Sequence, residues 1–208
     1  SSLEEETLDI INELDLKTVL VETKDKEGRL PSVYIDNIEA TYEATKHLLD
    51  KGIKNIAFIG VDKSSANAWG DRYIGYEKAL NEAGITVDED LVYFEGLKVK
   101  SGYVASEKFL ASGKSFNGII CASDEIAMGA INGLREKGVK TPEDVSVIGF
   151  NDNVVASYFY PKLTTVKQPS YDMGSVAMRM LIKILNNKPL EKAEFILSHE
   201  LIERESCK

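Results

Sequence analysis

The sequence has 208 residues, of which 43% are hydrophobic, and a formal net charge of −9 from 34 acidic and 25 basic side chains. A chain of this size and apolar content can bury a core as one large domain or as two smaller lobes. The acidic balance argues against binding to a nucleic-acid backbone through bulk charge. No apolar run reaches the roughly 18 residues of a membrane span, and the first residues do not form a basic and apolar leader, so we expect a soluble protein.

The residues that most often bind metals are few and far apart. The two cysteines, Cys121 and Cys207, and the two histidines, His47 and His199, lie in separate parts of the chain. Their spacing matches neither a disulfide framework nor a metal-ligand cluster. We therefore expect no metal or other cofactor, and a reducing, cytoplasmic environment.

Helix-like and strand-like patterns alternate along the chain. Ser2 and Glu5 have the spacing of a capping box, and the apolar residues from Leu3 to Leu14 then follow helical spacing. Similar spacing predicts further helices at about residues 36–51, 69–83, 101–110, 124–137 and 170–185. Short apolar or β-branched runs predict strands at residues 18–22, 32–35, 55–61, 91–94, 118–122, 145–150, 163–167 and 195–203.

Three of these strands are almost entirely apolar and do not alternate with polar residues. They read NIAFIGV at 55–61, GIICA at 118–122 and VSVIGF at 145–150. Continuous apolar strands that alternate with helices are typical of a parallel sheet covered on both faces. The sequence therefore predicts the α/β class.

Four segments then resemble one known family in order and in spacing. They are PSVYIDNIEATYEATKHLLDKGIKNIAFIG, DRYIGYEKALNEAGI, ASDEIAMGAINGLREKGVKTPEDVSVIGFND and PKLTTVKQPSYDMGSVAMRMLIKIL. Together they are similar to the effector-binding core of LacI/GalR-family transcriptional regulators. The resemblance implies the type I periplasmic-binding-protein fold, in which three crossovers join two Rossmann-like lobes around a small effector. It also implies homodimerisation through the core and a helix-turn-helix head that reads operator DNA.

The resemblance also suggests how the chain is divided. Residues 1–61 and 168–189 match the first lobe, and residues 62–167 and 190–208 match the second. Crossovers are expected near residues 61–64, 167–169 and 189, which would place NIAFIG and VSVIGF in different lobes. Family members carry the head and the first βα units ahead of the matched region, so the first lobe is expected to be partial.

The main candidate site residues lie in or next to the matched segments. In the family, the arginine that corresponds to Arg72 reaches the effector, and a guanidinium fork can hold vicinal hydroxyls or a carboxylate. Ser123 and Asp124 follow a strand at its carboxyl end, where α/β folds place ligands. Asp124 is expected to cap the next helix, which leaves Ser123 as the direct contact. Asn151 stands where many family members have aspartate, and an uncharged amide leaves the effector class open.

Three further residues complete the candidate site. The family counterpart of Asp36 borders the effector cleft, although Asp36 could equally cap its own helix. In sugar-sensing relatives an aromatic ring often stacks on the sugar; Leu97 occupies a position where such a ring can sit, and Trp69 is a nearby aromatic. Packing into the core is the favoured interpretation for both of these side chains.

The resemblance favours a small-molecule sensor over an enzyme. The effector would be a sugar or a related metabolite, with a nucleobase or a phosphocarrier protein as other options. No phosphate-binding loop, dinucleotide fingerprint or nucleophile elbow is present in the sequence. The alternative is a solute-binding protein of a sugar transporter, which shares the fold.

One prediction concerns DNA. At a net charge of −9 and without a recognisable helix-turn-helix segment, this polypeptide alone should show no salt-dependent, sequence-specific binding to duplex DNA. Fluorescence anisotropy with operator duplexes at physiological ionic strength tests this. Tight binding would place a DNA-reading element within these 208 residues.

Overall fold

The computed structural model describes residues 5–25, 27–63 and 67–208, and the chain divides into two compact units. The smaller unit holds residues 5–36, residues 67–68 and Pro169–His199. The larger unit holds residues 37–63, Trp69–Gln168 and Glu200–Lys208. The capping box predicted at Ser2 lies outside the described residues.

Helices and strands alternate as predicted. The helices are α1 (Glu5–Glu13), α2 (Asn37–Asp50), α3 (Ala68–Glu82), α4 (Val99–Ala111), α5 (Asp124–Glu136) and α6 (Ser170–Leu185). The strands are β1 (Leu20–Val21), β2 (Ser32–Ile35), β3 (Ile56–Gly60), β4 (Val92–Phe94), β5 (Gly118–Cys121), β6 (Ser146–Asn151), β7 (Thr164–Lys167), β8 (Glu194–Leu197) and β9 (Glu200–Ile202). Short 3₁₀ turns lie at Glu89–Leu91 and Val154–Ser157.

The smaller unit is built on a three-stranded sheet. Its strands are all parallel, in the order β1-β2-β8. Helix α6 packs against β1 and β2, and Met173 and Ala177 on that helix are buried together with Val33 and Ile35 of β2. The 3.6-residue spacing of the apolar side chains on α6 therefore corresponds to the face that covers this sheet.

The larger unit is built on a six-stranded sheet in the order β4-β3-β5-β6-β7-β9. All its strand pairs are parallel except β7 with β9. Every residue of β3 and of β5 is buried, which explains why these strands are apolar throughout. The predicted α/β class with parallel sheets is confirmed. Within the described residues, no helix is long and apolar enough to cross a membrane.

The chain passes from one unit to the other at residues that differ in part from those expected. Strand β3 pairs with β4 and β5, so NIAFIG shares one sheet with VSVIGF and is separated from it by β5. The strand predicted at residues 195–203 is two strands, because β8 joins the smaller sheet whereas β9 runs antiparallel to β7 in the larger one. The expected boundaries at residues 61 and 189 are therefore wrong, and the chain divides after residues 36 and 199 instead. A third division follows Gln168.

Glycines allow α4 and α5 to approach closely in the larger unit. A Cβ added at Gly102 would collide with the carbonyl oxygen of Ile126, and one added at Gly129 would collide with the carbonyl oxygen of Val99. These atoms belong to the backbone, so they cannot move aside as a flexible side chain could. The two helices are therefore in contact through their main chains.

This contact generates a stability prediction. Gly102→Ala should lower the free energy of unfolding by about 1–3 kcal/mol, because the added methyl group overpacks a backbone contact. Gly174→Ala on α6 is the matched control, since a Cβ there meets nothing within 4 Å. The control should be neutral or stabilising by up to about 1 kcal/mol from helix propensity. Urea denaturation measures both, and equal effects would contradict the packing argument.

Candidate functional site

The strand order of the larger unit contains a topological switch point. From β3 the chain passes through α3 to β4 on one side, whereas β5, β6 and β7 follow on the other side. In open parallel sheets, ligands bind outside the carboxyl ends of the strands at such a point. The residues that follow β3 and β5 are therefore the first place to look for a site.

Arg72 connects the elements that meet at this switch point. It lies on α3 and is only 2% exposed. Its Nε donates a hydrogen bond to Oδ1 of Asn37 at 3.0 Å, and its Nη1 donates to the carbonyl oxygen of Ala122 at 2.6 Å. Asn37 opens α2, and Ala122 directly follows β5, so one guanidinium links α2, α3 and the end of β5.

Aromatic rings hold the same guanidinium from the side. The Cζ atom of Arg72 lies 3.7 Å from the ring centroid of Phe150 and 4.6 Å from that of Trp69. Phe150 is on β6 and buried, whereas Trp69 is half-buried. Stacking of a cation on ring faces complements the two hydrogen bonds, since rings leave the in-plane donors available for oxygen acceptors. The orientation of Arg72 is thus fixed before any ligand binds.

Ser123, and not Asp124, caps the helix that follows β5. Ser123 is the N-cap of α5, and its Oγ accepts from the backbone N–H of Ile126 at 3.3 Å. The carboxylate of Asp124 instead accepts from the hydroxyl of Thr165 at 2.6 Å and from the backbone N–H of Asn153 at 2.7 Å. The expectation that Asp124 caps the helix is therefore wrong, because its side chain is directed toward β7 and the loop after β6.

Burial changes the acidity of Asp124. The side chain is fully buried, and desolvation raises its pKa to about 6 because a buried site disfavours the charged form. The hydrogen bonds from Thr165 and Asn153 act in the opposite direction, and the nearby charges of Glu125 and Asp152 raise the pKa further. The buried carboxylate therefore titrates close to neutral pH.

Asn151 lies at the carboxyl end of β6, in an unusual backbone conformation. Its φ is +112° and that of Asp152 is +55°, so two consecutive residues other than glycine adopt left-handed torsions. The Oδ1 of Asn151 accepts from Nε2 of Gln168 at 2.7 Å. Asp152 pairs with Arg204 through an N···O distance of 2.6 Å. Side chains that follow β7 and β9 therefore restrain both residues of the turn.

The remaining candidates fall in different places. Asp36 is exposed and belongs to the smaller unit. Leu97 is 42% exposed in the loop after β4, which makes its expected packing in the core wrong. Trp69 is half-buried and contacts Arg72, so core packing describes it only in part.

Sequence reasoning missed three residues whose contacts hold the predicted site residues in place. Asn37, Phe150 and Gln168 each contact a predicted site residue and were not singled out. Gln168 is the only glutamine in the sequence and lies within the matched segment LTTVKQP. Its burial, at 6% exposure, is the property that separates it from an ordinary surface amide, and the sequence pattern does not report burial of a single polar residue.

Comparisons with known proteins agree with the fold. The family model of the periplasmic binding protein-like domain matches residues 45–207. The transcriptional regulator RegA of Clostridium saccharobutylicum is 65% identical over 206 residues, which cover 99% of this chain and 62% of RegA. The structure of the transcription regulator CcpA of Lactococcus lactis aligns with a TM-score of 0.91 and 38% identity, covering 100% of this chain and 76% of that one. A complex of the transcriptional regulator CelR with cellobiose aligns with a TM-score of 0.92 and 30% identity, covering 99% of this chain and 63% of CelR.

The parallel sheets and the match to the family model thus show a domain of the periplasmic-binding-protein type. Within that class, the chain belongs to the LacI family and corresponds to the effector-binding core of its members. It spans 62% of the length of RegA.

The acidity of Asp124 generates a prediction about stability and pH. Its pKa is raised from 3.8 to about 6 on folding, so its neutral form favours the folded state below pH 3.8, and this contribution disappears as the pH rises through 6. Asp124→Asn keeps an acceptor for Asn153 and a polar partner for Thr165. It should flatten the loss of stability between about pH 4 and pH 6 and should stabilise the protein at pH 7.5 by up to about 3 kcal/mol.

Urea denaturation at several pH values measures this effect. Asp50→Asn is the control, because Asp50 is exposed at the end of α2 in the same unit. An identical pH dependence in wild type and Asp124→Asn would contradict the assignment.

Proposed function

We propose that this chain is the effector-binding and dimerisation core of a transcriptional regulator that controls DNA binding by a helix-turn-helix head. The observation that carries the proposal is Arg72, whose guanidinium is fixed at the switch point by Asn37 and Ala122. A preorganised charged donor at this place suits recognition of a small polar ligand. The names of RegA and of CcpA as transcriptional regulators support the wider role.

The proposed effector is a sugar or a related metabolite. CelR, which is 30% identical, is named as a complex with cellobiose. Arg72 and Asn151 are the proposed direct contacts, with the half-buried ring of Trp69 beside them. Leu97 follows β4 at the same edge of the sheet, where its exposure leaves it accessible to a ligand.

Three residues have supporting roles in this proposal. Asp124 holds Thr165 and the loop after β6, so it shapes the site rather than bonding the effector. Ser123 caps α5 because its hydroxyl oxygen accepts a hydrogen bond. The same hydroxyl group can still donate a hydrogen bond to a ligand. Asp36 remains a proposed site residue that only the resemblance to the family supports.

The exposed apolar side chains of the larger unit support a homodimer. Val154, Val155, Tyr158 and Tyr160 follow one another in the segment after β6, and each is more than half exposed. Clusters of this kind on a soluble domain usually mark a protein interface. Self-association through this segment would bring two DNA-reading heads to one operator.

A phosphocarrier protein is a second proposed partner. On α6, Tyr171 and Met178 are exposed, and Arg179 lines the same shallow surface. An apolar surface with a cationic side chain suits a partner protein that carries an anionic group. This surface belongs to the smaller unit.

The rival functions have less support. The solute-binding protein of a transporter is not supported, since RegA, CcpA and CelR are all named as regulators. The same relatives favour a regulator over an enzyme. A regulator acts where its operator is, so we expect the protein in the cytoplasm.

Control of DNA binding then follows from linkage. If the effector binds one conformation of the core more tightly, it shifts the population toward that conformation, and operator affinity changes with it. The coupling is reciprocal, so operator DNA must change effector affinity by the same factor. Fluorescence anisotropy of the full-length protein on its operator, with and without the effector, tests this function. A thermal-shift screen against sugars, sugar phosphates and nucleobases identifies the effector.

Arg72 provides the specific prediction. In the full-length protein, Arg72→Ala should weaken effector binding about ten- to a hundredfold, because loss of a charged donor to a buried polar group costs about 1.5–3 kcal/mol. Arg72→Lys retains the charge but loses the planar fork, so its affinity should lie between the other two. Calorimetry with the effector from the screen measures all three proteins.

The control is Arg135→Ala. Arg135 is exposed on α5 and bonds only locally, through Nη2 to Oδ1 of Asn132 at 2.7 Å. Thermal unfolding of each variant separates loss of affinity from loss of the fold. Unchanged affinity in a folded Arg72→Ala protein would remove Arg72 from the site.

A further inference from the structure

We propose that Gln168 fixes the side-chain amide of Asn151 as a hydrogen-bond donor toward the effector, and that the site therefore selects an effector carrying an oxyanion. This inference rests on the proposed function, because it assumes that Asn151 faces the ligand. It makes Gln168 a positioning residue and names a carboxylate or a phosphate as the recognised group.

The first step is the direction of the hydrogen bond between the two amides. Nε2 of Gln168 donates to Oδ1 of Asn151 at 2.7 Å. An amide has an acceptor end and a donor end, so use of Oδ1 turns Nδ2 the other way. Nδ2 of Asn151 makes no hydrogen bond to any residue that the structure describes. Asn151 is half-buried, which leaves this donor accessible.

The second step is that the backbone leaves the pair little freedom. Strands β6 and β7 align Asn151 with Lys167, so Gln168 follows the register partner of Asn151 by one residue. The buried Gln168 is therefore placed by the sheet itself. Asn151 has a φ of +112°, a torsion that persists only where the surroundings determine it. Gln168 provides such a restraint at one residue of the turn, and Arg204 provides it at the other through Asp152.

The third step concerns the carboxylates at the same edge. Asp124 accepts from Thr165 and from the backbone of Asn153, and Asp152 pairs with Arg204. Internal donors thus occupy both carboxylate oxygens of Asp124 and Oδ1 of Asp152. A ligand group that approaches the amide of Asn151 meets the donor Nδ2. A deprotonated oxygen of a carboxylate or phosphate, which only accepts hydrogen bonds, suits this donor best.

The fourth step is that the selectivity can be reversed chemically. In Gln168→Glu, the new carboxylate would accept from Nδ2 of Asn151 and turn Oδ1 toward the ligand. In Asn151→Asp, one oxygen would accept from Gln168 and the other would face the ligand. Both changes replace a donor by an acceptor and should disfavour an oxyanion.

The first experiment tests the orientation without a ligand, by NMR of side-chain amides in the full-length protein. The signal of Gln168 is assigned by its loss in Gln168→Glu, and that of Asn151 by its loss in Asn151→Asp. We expect slow hydrogen exchange for one Nε2 proton of Gln168 and fast exchange for the Nδ2 protons of Asn151. In Gln168→Glu, an Asn151 proton should become protected. Protection of Asn151 Nδ2 in the wild type would overturn the proposal.

The second experiment tests selectivity with three probes: glucose, glucuronate and glucose 6-phosphate. Calorimetry on the wild type should show at least one of the two anions binding tenfold or more tightly than glucose, and the two anions distinguish carboxylate from phosphate. Gln168→Glu and Asn151→Asp should each reduce that preference at least tenfold. Gln168→Met, which adds no charge, should reduce the preference for the anion by a smaller factor, because the side-chain amide of Asn151 is then free to rotate.

The control for added charge is Asn132→Asp. Asn132 bonds only locally to Arg135 on α5, so the preference should be unchanged. The ratio of affinities, rather than affinity itself, is the readout, because a purely structural defect would weaken all three probes together. Tighter binding of glucose than of both anions, or binding of none of the three, would overturn the inference.

Failure of the inference and failure of the proposed function can be distinguished. If only the inference fails, operator binding responds to a neutral ligand in the thermal-shift screen and ignores both anions. If the proposed function fails, operator binding responds to no small molecule, whatever the NMR experiment shows.

Discussion

The site depends on the buried guanidinium of Arg72, which contacts within the fold hold in one orientation. Removing an arginine from water is costly unless its donors find oxygens. Arg72 meets this requirement with the amide oxygen of Asn37, the carbonyl of Ala122 and the faces of two rings. Ala122 directly precedes Ser123, the N-cap of α5, so this contact lies next to the start of that helix. A single side chain therefore ties the end of β5 to the helices that precede and follow β3.

A second set of polar contacts extends from that anchor across the sheet. Asp124 reaches Thr165 on β7, and Asn151 at the end of β6 is held by Gln168. These contacts connect β5, β6 and β7 near their carboxyl ends, where side chains add to the hydrogen bonds of the backbone ladder. The close backbone contact of α4 with α5 at Gly102 keeps the helical layer compact on the same unit. The polar edge is thus supported by packing beneath it.

The sequence predicted what depends on local pattern and missed what depends on distant partners. Helices and strands were predicted within a few residues, because periodicity and turn residues act over short distances. The sheet that each strand joins was not predicted, because the apolar run of β3 would suit the sheet of either unit. Ser123 and Asp124 are both capable caps, and Thr165, 41 positions from Asp124, decides between them. Asn37 lies 35 positions from Arg72, a separation without any pattern that identifies the pair.

Net charge and local character are separate properties of this protein. The chain as a whole carries −9, which opposes contact with a polyanion. At the carboxyl edge of the larger sheet, however, internal donors engage the carboxylates of Asp124 and Asp152, and a buried guanidinium remains beside them. Hydrogen bonding acts over a few ångströms, whereas unpaired surface charges are screened over about 8–10 Å at physiological salt. A strongly acidic protein can therefore leave a donor such as Nδ2 of Asn151 at this edge, because pairing within the fold decides which polar atoms are left for a ligand.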